Sequence, residues 1–360
     1  MILNAFELLS YRNYPHISLK FHPHLNIFFG PNGAGKTNLL EAINLLATGE
    51  LRRGKKDTDA IRWNELFTWV RGEIVYEDGR VVKLVTQIRV GGEKAFSVNG
   101  KIVPLKRYLG SFYVVSIFDD DQEIIIGSPE KRRNFLDEFV SDIDPEYHFT
   151  LNRYKNILIR RNRVLRAKDF DRRLLESLTE LLVELGERII RGRHNAISIY
   201  NRYLEKEGRR FGIDVKIEPP YLIDDVDESI RVYKERFNSS RAKEEVLGLT
   251  LVGPHREDVP IRVDGRDSRS FASNGEIQII IFLLKIAQLE LIKDIKGYKP
   301  VFLIDEFLSR LDTKNSKIII DTIEEKSPQL FVSMLSKKDI GIHGTIFNID
   351  NGEIIDEETF

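Results

Sequence analysis

Read by its hydrophobic pattern, the chain changes character twice. The first 126 residues are mostly β-type. Residues 2–9 are expected to form an edge strand, and Ile17, Leu19 and Phe21 alternate with Ser18 and Lys20 at the period of a half-buried strand. Asn26-Ile27-Phe28-Phe29, three apolar residues after an asparagine, reads as a buried strand. Leu39, Ile43 and Leu46 follow on one face of a helix expected over 38–46. Residues 51–59 are basic and loop-like. Strands are then expected over 69–76 and 81–90, with Glu77-Asp78-Gly79-Arg80 as the hairpin turn, and a third strand over 94–98 turns at Asn99-Gly100.

After Gly127-Ser128-Pro129 the pattern becomes helical to about residue 207, with almost no glycine or proline inside the long runs. Leu151, Tyr154, Leu158 and Leu165 mark one apolar face, and Leu174, Leu178, Leu181, Leu182 and Leu185 mark another. With a turn at Ala167-Lys168-Asp169, this predicts two main antiparallel helices. A short strand over 213–217, a break at Pro219-Pro220 and a polar helix over 224–245 complete the segment. From 246 the β pattern returns. A hairpin over 259–263 turns at Asp264-Gly265, and a long apolar helix spans 277–292. A buried strand over 301–306 precedes two shorter ones at 329–334 and 344–349. The acidic tail, 353–358, is expected to fray. The fold class is therefore α/β, with a first lobe from 1–126 and 246–360 and a helical insertion, 127–245, as the second.

Composition narrows the chemistry. The 360 residues contain no cysteine, which excludes disulfides, thiolate zinc sites and cysteine nucleophiles and suits a cytoplasmic protein. No apolar run has the length of a membrane span, and the first ten residues lack the basic start of a signal peptide. Net charge is −1, so the distribution of charge carries the information. Residues 151–175 hold nine Lys/Arg against two Asp, including Arg160, Arg161, Arg163 and Arg166. That concentration suits phosphate contacts without base readout, as DNA binding needs. Arg52, Arg53, Lys55 and Lys56 form a second basic candidate. A solvated helix face is the plainer alternative for either.

The sharpest motif follows the run at 26–29. Gly30-Pro31-Asn32-Gly33-Ala34-Gly35-Lys36-Thr37 fits G-x-x-x-x-G-K-[ST], the phosphate-binding P-loop. Glycines let successive backbone N–H groups turn inward toward phosphate oxygens, and the following helix offers its N-terminus to the same anion. Lys36 would reach the β- and γ-phosphates, and the Thr37 hydroxyl would ligate Mg²⁺. Ile304-Asp305-Glu306 closes the apolar run at 301–304 as a Walker B strand. There Asp305 would hold Mg²⁺ and Glu306 would orient or deprotonate water. Ser273-Asn274-Gly275-Glu276 reads as a capping box on the long helix and also as an anion site at its N-terminus.

Ser273-Asn274-Gly275-Glu276 resembles the ABC-type signature, and Ser309-Arg310-Leu311-Asp312 resembles that superfamily's D-loop. Further pieces match in order: Tyr11-Arg12-Asn13-Tyr14, the P-loop continued through Asn38-Leu39-Leu40-Glu41-Ala42, Gly127-Ser128-Pro129 with Arg132-Arg133 and Phe135-Leu136-Asp137, Thr250-Leu251-Val252-Gly253-Pro254-His255-Arg256, and Ser270-Phe271-Ala272-Ser273. Together they span nearly the whole chain, which resembles the RecF family of bacterial recombination mediators, relatives of SMC-type ATPases.

That resemblance implies an ABC/SMC-type P-loop ATPase head, a mixed sheet with helices, carrying an inserted helical lobe II. It implies ATP and Mg²⁺ as cofactors, with ATP bound by Gly30 to Asn38, by Arg12, and across a homodimer by Ser273 and Gly275. It also implies slow, DNA-stimulated hydrolysis and work on gapped or ss/dsDNA junctions in recombinational repair and replication restart, with RecO and RecR as partners. Several positions depart from the family pattern. Ala34 replaces a common Gln, Asn274 and Glu276 replace more usual signature residues, Phe307 follows Glu306, and no His stands near Ser333. Asp119 to Gln122 lies where a Q-loop belongs, in divergent text. An ATP-gated DNA clamp with incidental turnover, or a transporter ATPase subunit, are the rival readings.

Overall fold

The computed structural model describes residues 1–52, 54, 56–167, 171–307, 313–326, 329–335 and 343–359. They form two compact units, Met1–Asp120 with Gln288–Phe360 and Asp121–Ala287.

The first unit holds two six-stranded sheets. One is antiparallel throughout, in the order Tyr14–Lys20, Ile2–Tyr11, Phe67–Val75, Val81–Arg89, Lys94–Val98, Lys101–Val103. The expected edge strand at 2–9 is thus an inner strand with a partner on each side, and Tyr14–Lys20 takes the edge. Alternation reports which faces are covered, not which neighbours are present. In the other sheet the order is Glu353–Thr359, Gly344–Asp350, Leu25–Phe29, Leu330–Met334, Val301–Asp305, Val114–Ile117. Its inner pairs are all parallel. Burial on both faces explains why Val301–Asp305 and Leu330–Met334 read as continuous apolar runs.

The helix Lys36–Thr48 packs against both sheets and buries Leu39, Leu40, Ala42, Ile43, Leu45 and Leu46. Close approach depends on Gly72, where a Cβ would stand 2.3 Å from Leu46 Cδ2. Gly49 ends the helix in the left-handed conformation, its N–H donating to Leu45 O at 2.8 Å. The acidic tail does not fray. Glu353–Thr359 pairs antiparallel with Gly344–Asp350 through Asn351-Gly352, both at positive φ as a tight hairpin requires. Its carboxylates face solvent along a sheet edge, where charge discourages pairing with another chain.

The second unit is mainly helical: Pro129–Ile143, Pro145–Leu165, the 40-residue Arg172–Phe211, and Val226–Leu247. Arg172–Phe211 buries Leu175, Thr179, Leu182, Leu185 and Ile189, whereas Leu174 is 47% exposed. Of the leucines that stand out in the sequence, Leu182 and Leu185 are buried as expected, while in the first turns the inward stripe runs through Leu175 and Thr179 rather than Leu174 and Leu178. Residues 246–287 belong by contact to this unit, not to the first as the insertion limits of 127–245 imply. Thr250 N–H donates to Asn162 Oδ1 at 2.8 Å, Arg193 Nη1 to Pro254 O at 2.8 Å, and Ile261–Val263 pairs with Val215–Ile217. These bonds join residues far apart in sequence, so local pattern carried no sign of them. Among the described residues no helix is long and apolar enough to cross a membrane.

Candidate nucleotide site and basic surface

The P-loop runs from the end of Leu25–Phe29 into the helix Lys36–Thr48. Gly33 and Gly35 take φ of +80° and +116°, a backbone path closed to most side chains. Gly30 and Gly35 are also held by space. A Cβ on Gly30 would lie 2.2 Å from Ile349 O, and one on Gly35 would lie 2.5 Å from Asn13 Nδ2. Ala34 O accepts from Asn13 Nδ2 at 3.2 Å and from Gly352 N–H at 2.9 Å. The N-terminal turn and the C-terminal hairpin therefore both brace the loop. On the other side, a Cβ at Gly33 would meet nothing within 4 Å, so the loop is open there.

Lys36 is 4% exposed and folds across the loop. Its ammonium donates to Gly30 O at 2.8 Å and Pro31 O at 3.0 Å and pairs with Glu306 Oε1 at 3.2 Å. The Thr37 hydroxyl donates to the Asp305 carboxylate at 2.9–3.0 Å, although the two residues are 268 positions apart. An ammonium, a hydroxyl and two carboxylates thus converge on a loop of open amides. This donor set fits a nucleoside triphosphate with a divalent cation: the amides and Lys36 for phosphate, Thr37 and Asp305 for the metal.

Arg12 is not a solvated loop arginine. It has φ +47°, its N–H donates to Ala60 O at 2.8 Å, and its guanidinium donates to Asn38 Oδ1 at 3.0 Å and pairs with the buried Glu41 at 2.5 Å. Asn38 in turn donates to Asn13 Oδ1 at 2.7 Å. Arg12 is thereby anchored to the first turns of the P-loop helix. Pro31 and Asn32 complete the loop, both exposed.

Ser273 sits at the start of the helix Asn274–Lys296. Its hydroxyl and its N–H each donate to Glu276 Oε2 at 2.7 Å, so the capping box forms. Those bonds hold the Glu276 carboxyl below its ordinary pKa. Ser273, Asn274 and Gly275 are exposed, and a Cβ on Gly275 would meet nothing within 4 Å. The D-loop text, Ser309 to Asp312, lies outside the described residues, as do Arg53, Lys55 and Lys168. Asp119–Gln122 forms a single 3₁₀ turn.

One of the basic residues leaves the proposed surface. Arg161 is 2% exposed and donates to Thr179 Oγ1, Thr250 Oγ1 and Glu244 Oε2 at 2.7–2.8 Å, with Phe237 under its guanidinium. It is a core cross-link, because a charge on the apolar side of a helix is tolerated only when every donor is satisfied. Arg160, Arg163 and Arg166 are exposed and make no ion pair among the described residues. In the other cluster Arg52 pairs with Asp120 at 3.1 Å and covers the Phe118 ring, while Lys56 is exposed.

Sequence reasoning passed over Asn13, Glu41 and Ser333. Asn13 and Glu41 lie within the motifs Tyr11-Arg12-Asn13-Tyr14 and Asn38-Leu39-Leu40-Glu41-Ala42, and their roles depend on contacts with Ala34, Asn38 and Arg12 that local sequence does not show. Ser333 carries no local signal, yet its hydroxyl donates to Asp305 Oδ1 at 2.5 Å and accepts from Glu306 N–H at 2.9 Å.

Comparison with known proteins agrees with this geometry. Residues 2–351 match the family described as RecF/RecN/SMC N terminal domain. The chain is 32% identical to the DNA replication and repair protein RecF of Bacillus subtilis (strain 168), over 99% of this chain and all of that one. Two solved structures of the recombination mediator protein RecF in the RecFOR pathway are each 31% identical. The RecF-ATP structure has a TM-score of 0.87 and is matched over 100% of this chain and 99% of its own, and RecF-ATPrS has a TM-score of 0.88 over 98% and 97%.

Proposed function

This chain belongs to the RecF family of SMC-like P-loop ATPases, and we propose that it is an ATP-dependent DNA-binding protein of recombinational repair and replication restart. The observation that carries the reading is the contact of Thr37 with Asp305, beside a loop spanned by Lys36 and Glu306. On this reading the open amides of the P-loop and Lys36 bind the phosphates of ATP. Arg12, fixed by Asn38 and Glu41, adds positive charge beside the same helix. Thr37 and Asp305 would hold Mg²⁺, which when bound neutralises charge on the β- and γ-phosphates. Glu306 orients the attacking water and takes its proton.

Two copies close with ATP between them, each offering Ser273 and Gly275 to the other's P-loop. The exposed start of the helix Asn274–Lys296 suits that role. The closed dimer holds DNA at gapped or ss/dsDNA junctions and helps to load recombinase with RecO and RecR, and slow hydrolysis resets it.

ATP turnover measured with and without gapped DNA tests the whole reading. Turnover should rise with DNA and fall by about a hundredfold or more in Glu306→Gln, which keeps the side chain's shape but removes the base. The variant should accumulate as an ATP-stabilised dimer by light scattering. A monomeric Glu306→Gln at saturating ATP and Mg²⁺ would contradict the switch.

The DNA contacts are assigned to the exposed arginines. Replacing Arg160, Arg163 and Arg166 together by alanine should reduce the slope of log affinity against log salt by about 2–3, with ATP affinity unchanged. Arg161→Ala should behave differently. Removing a buried partner of Glu244 should cost about 3–5 kcal/mol of stability in urea unfolding. A triple variant with the wild-type salt slope would remove this face from the DNA interface.

A further inference from the structure

The strand Leu330–Met334 lies between the two motif strands, parallel to Leu25–Phe29 on one side and to Val301–Asp305 on the other. In this register Ser333 stands opposite both Phe28 and Asp305. It is 1% exposed. Its single hydroxyl proton goes to Asp305 Oδ1 at 2.5 Å, and its oxygen accepts from Glu306 N–H at 2.9 Å. The Thr37 hydroxyl approaches the same carboxylate at 2.9–3.0 Å, so Asp305 is held by two hydroxyls, one from the start of the helix Lys36–Thr48 and one from the end of the strand Leu330–Met334.

Glu306 has φ +50°, a left-handed conformation that a non-glycine residue keeps only where its surroundings hold it. The bond from its N–H to Ser333 is such a tether. Without it, relaxation of φ at Glu306 would swing the carboxylate away from its place beside Lys36.

We propose that Ser333 is a positioning residue for ATP hydrolysis, one hydroxyl that fixes both the metal-side carboxylate of Asp305 and the backbone from which Glu306 is aimed. The proposal rests on the ATPase reading above. Ser333 is placed to act on geometry at the reacting end of the site, not on binding of the nucleotide's phosphates, because the P-loop amides do not depend on it and Lys36 is also held by Gly30 O and Pro31 O.

The test compares wild type, Ser333→Ala and Ser333→Thr. In Ser333→Ala the Asp305 oxygen and the Glu306 N–H lose a shared partner. kcat should fall about a hundredfold, the loss that a misplacement of about 1 Å brings. Affinity for metal-free ATP, read by calorimetry, should stay at the wild-type value, and the gain in affinity on adding Mg²⁺ should shrink about tenfold, as removal of a group behind a metal ligand commonly does. Ser333→Thr keeps the hydroxyl and suits a strand, so it should recover most of both losses. A Ser333→Ala protein with wild-type kcat and wild-type Mg²⁺ response overturns the proposal, as does a Ser333→Thr protein equally impaired with the same unfolding temperature. Should wild type itself bind no ATP, the ATPase reading falls and takes this proposal with it. If wild type binds and hydrolyses ATP, failure of the serine variants to differ from it counts against Ser333 alone.

Discussion

Lys36→Ala is expected to abolish measurable ATP binding, with dimerisation and turnover lost together. The ammonium is buried at the mouth of the loop, with Gly30 O, Pro31 O and Glu306 within 3.2 Å, and it pairs across to the second Walker B carboxylate. Truncating one partner of a buried charge pair costs about 3 kcal/mol or more, at least about a hundredfold in Kd. In this case the cost doubles in kind, because the variant leaves Glu306 facing the phosphates without a counter-charge. The fold should survive. Anchoring of the helix Lys36–Thr48 comes from Leu39, Leu40, Ile43, Leu45 and Leu46, none of which depends on Lys36. Lys36→Arg should be nearly as impaired, since a planar guanidinium cannot take the place of a point charge held against two carbonyl oxygens. Calorimetry on the alanine variant decides the matter, and wild-type ATP affinity there would end the P-loop reading.

Ser273→Arg should leave ATP binding by each copy intact and abolish ATP-dependent dimerisation and hydrolysis. Ser273 and Gly275 lie on an exposed helix start with open space beside Gly275, so an arginine is accommodated in the single chain. What it removes is the bond of the Ser273 hydroxyl to Glu276, worth about 1 kcal/mol as a helix cap, too little to unfold the unit. What it adds is bulk and charge on the surface that would meet the partner's triphosphate. Mixing Ser273→Arg with Lys36→Ala gives the stronger evidence. Each mixed dimer carries one site with both defects and one with neither, so partial turnover should return if the sites are composite. Normal dimerisation of Ser273→Arg alone would refute the arrangement, and a mixture that stays inactive would argue against it.

Both predictions start from motifs visible in the sequence, and the reason is physical. A P-loop is a local object, in which glycine freedom, a helix N-terminus and a lysine one residue past the last glycine specify the cradle within about ten residues. The hairpins at Glu77 to Arg80 and Asn99-Gly100 were legible for the same reason, and Asn351-Gly352 carried the same signal beneath an acidic tail that drew the eye to its charge. Helical periodicity located the long helices of the second unit, but not which edge of a broad apolar stripe turns inward. Leu174 and Leu175 are neighbours in the chain, and only the helices packed against them separate the exposed one from the buried one.

Everything that depends on strand order or on a distant partner was decided by the tertiary structure. Parallel pairing sets Ser333 beside Asp305 across 28 positions, and no local feature of Phe331-Val332-Ser333-Met334 announces that its serine faces a carboxylate. The same holds for Ile2–Tyr11, whose alternation is that of any half-covered strand while its inner position depends on Phe67–Val75. Arg161 stands among nine basic residues with nothing in the text to distinguish it, and it lies inside because Thr179, Glu244 and Thr250 arrive from other elements to satisfy its donors. Sequence by itself thus determined the chemistry that backbone conformation and near neighbours dictate: the phosphate cradle, the carboxylate pair and the helix cap. Packing decided which charge is a cross-link and which faces solvent, and which hydroxyl holds the carboxylates in place, because burial and hydrogen-bond satisfaction are properties of residues brought together from remote parts of the chain.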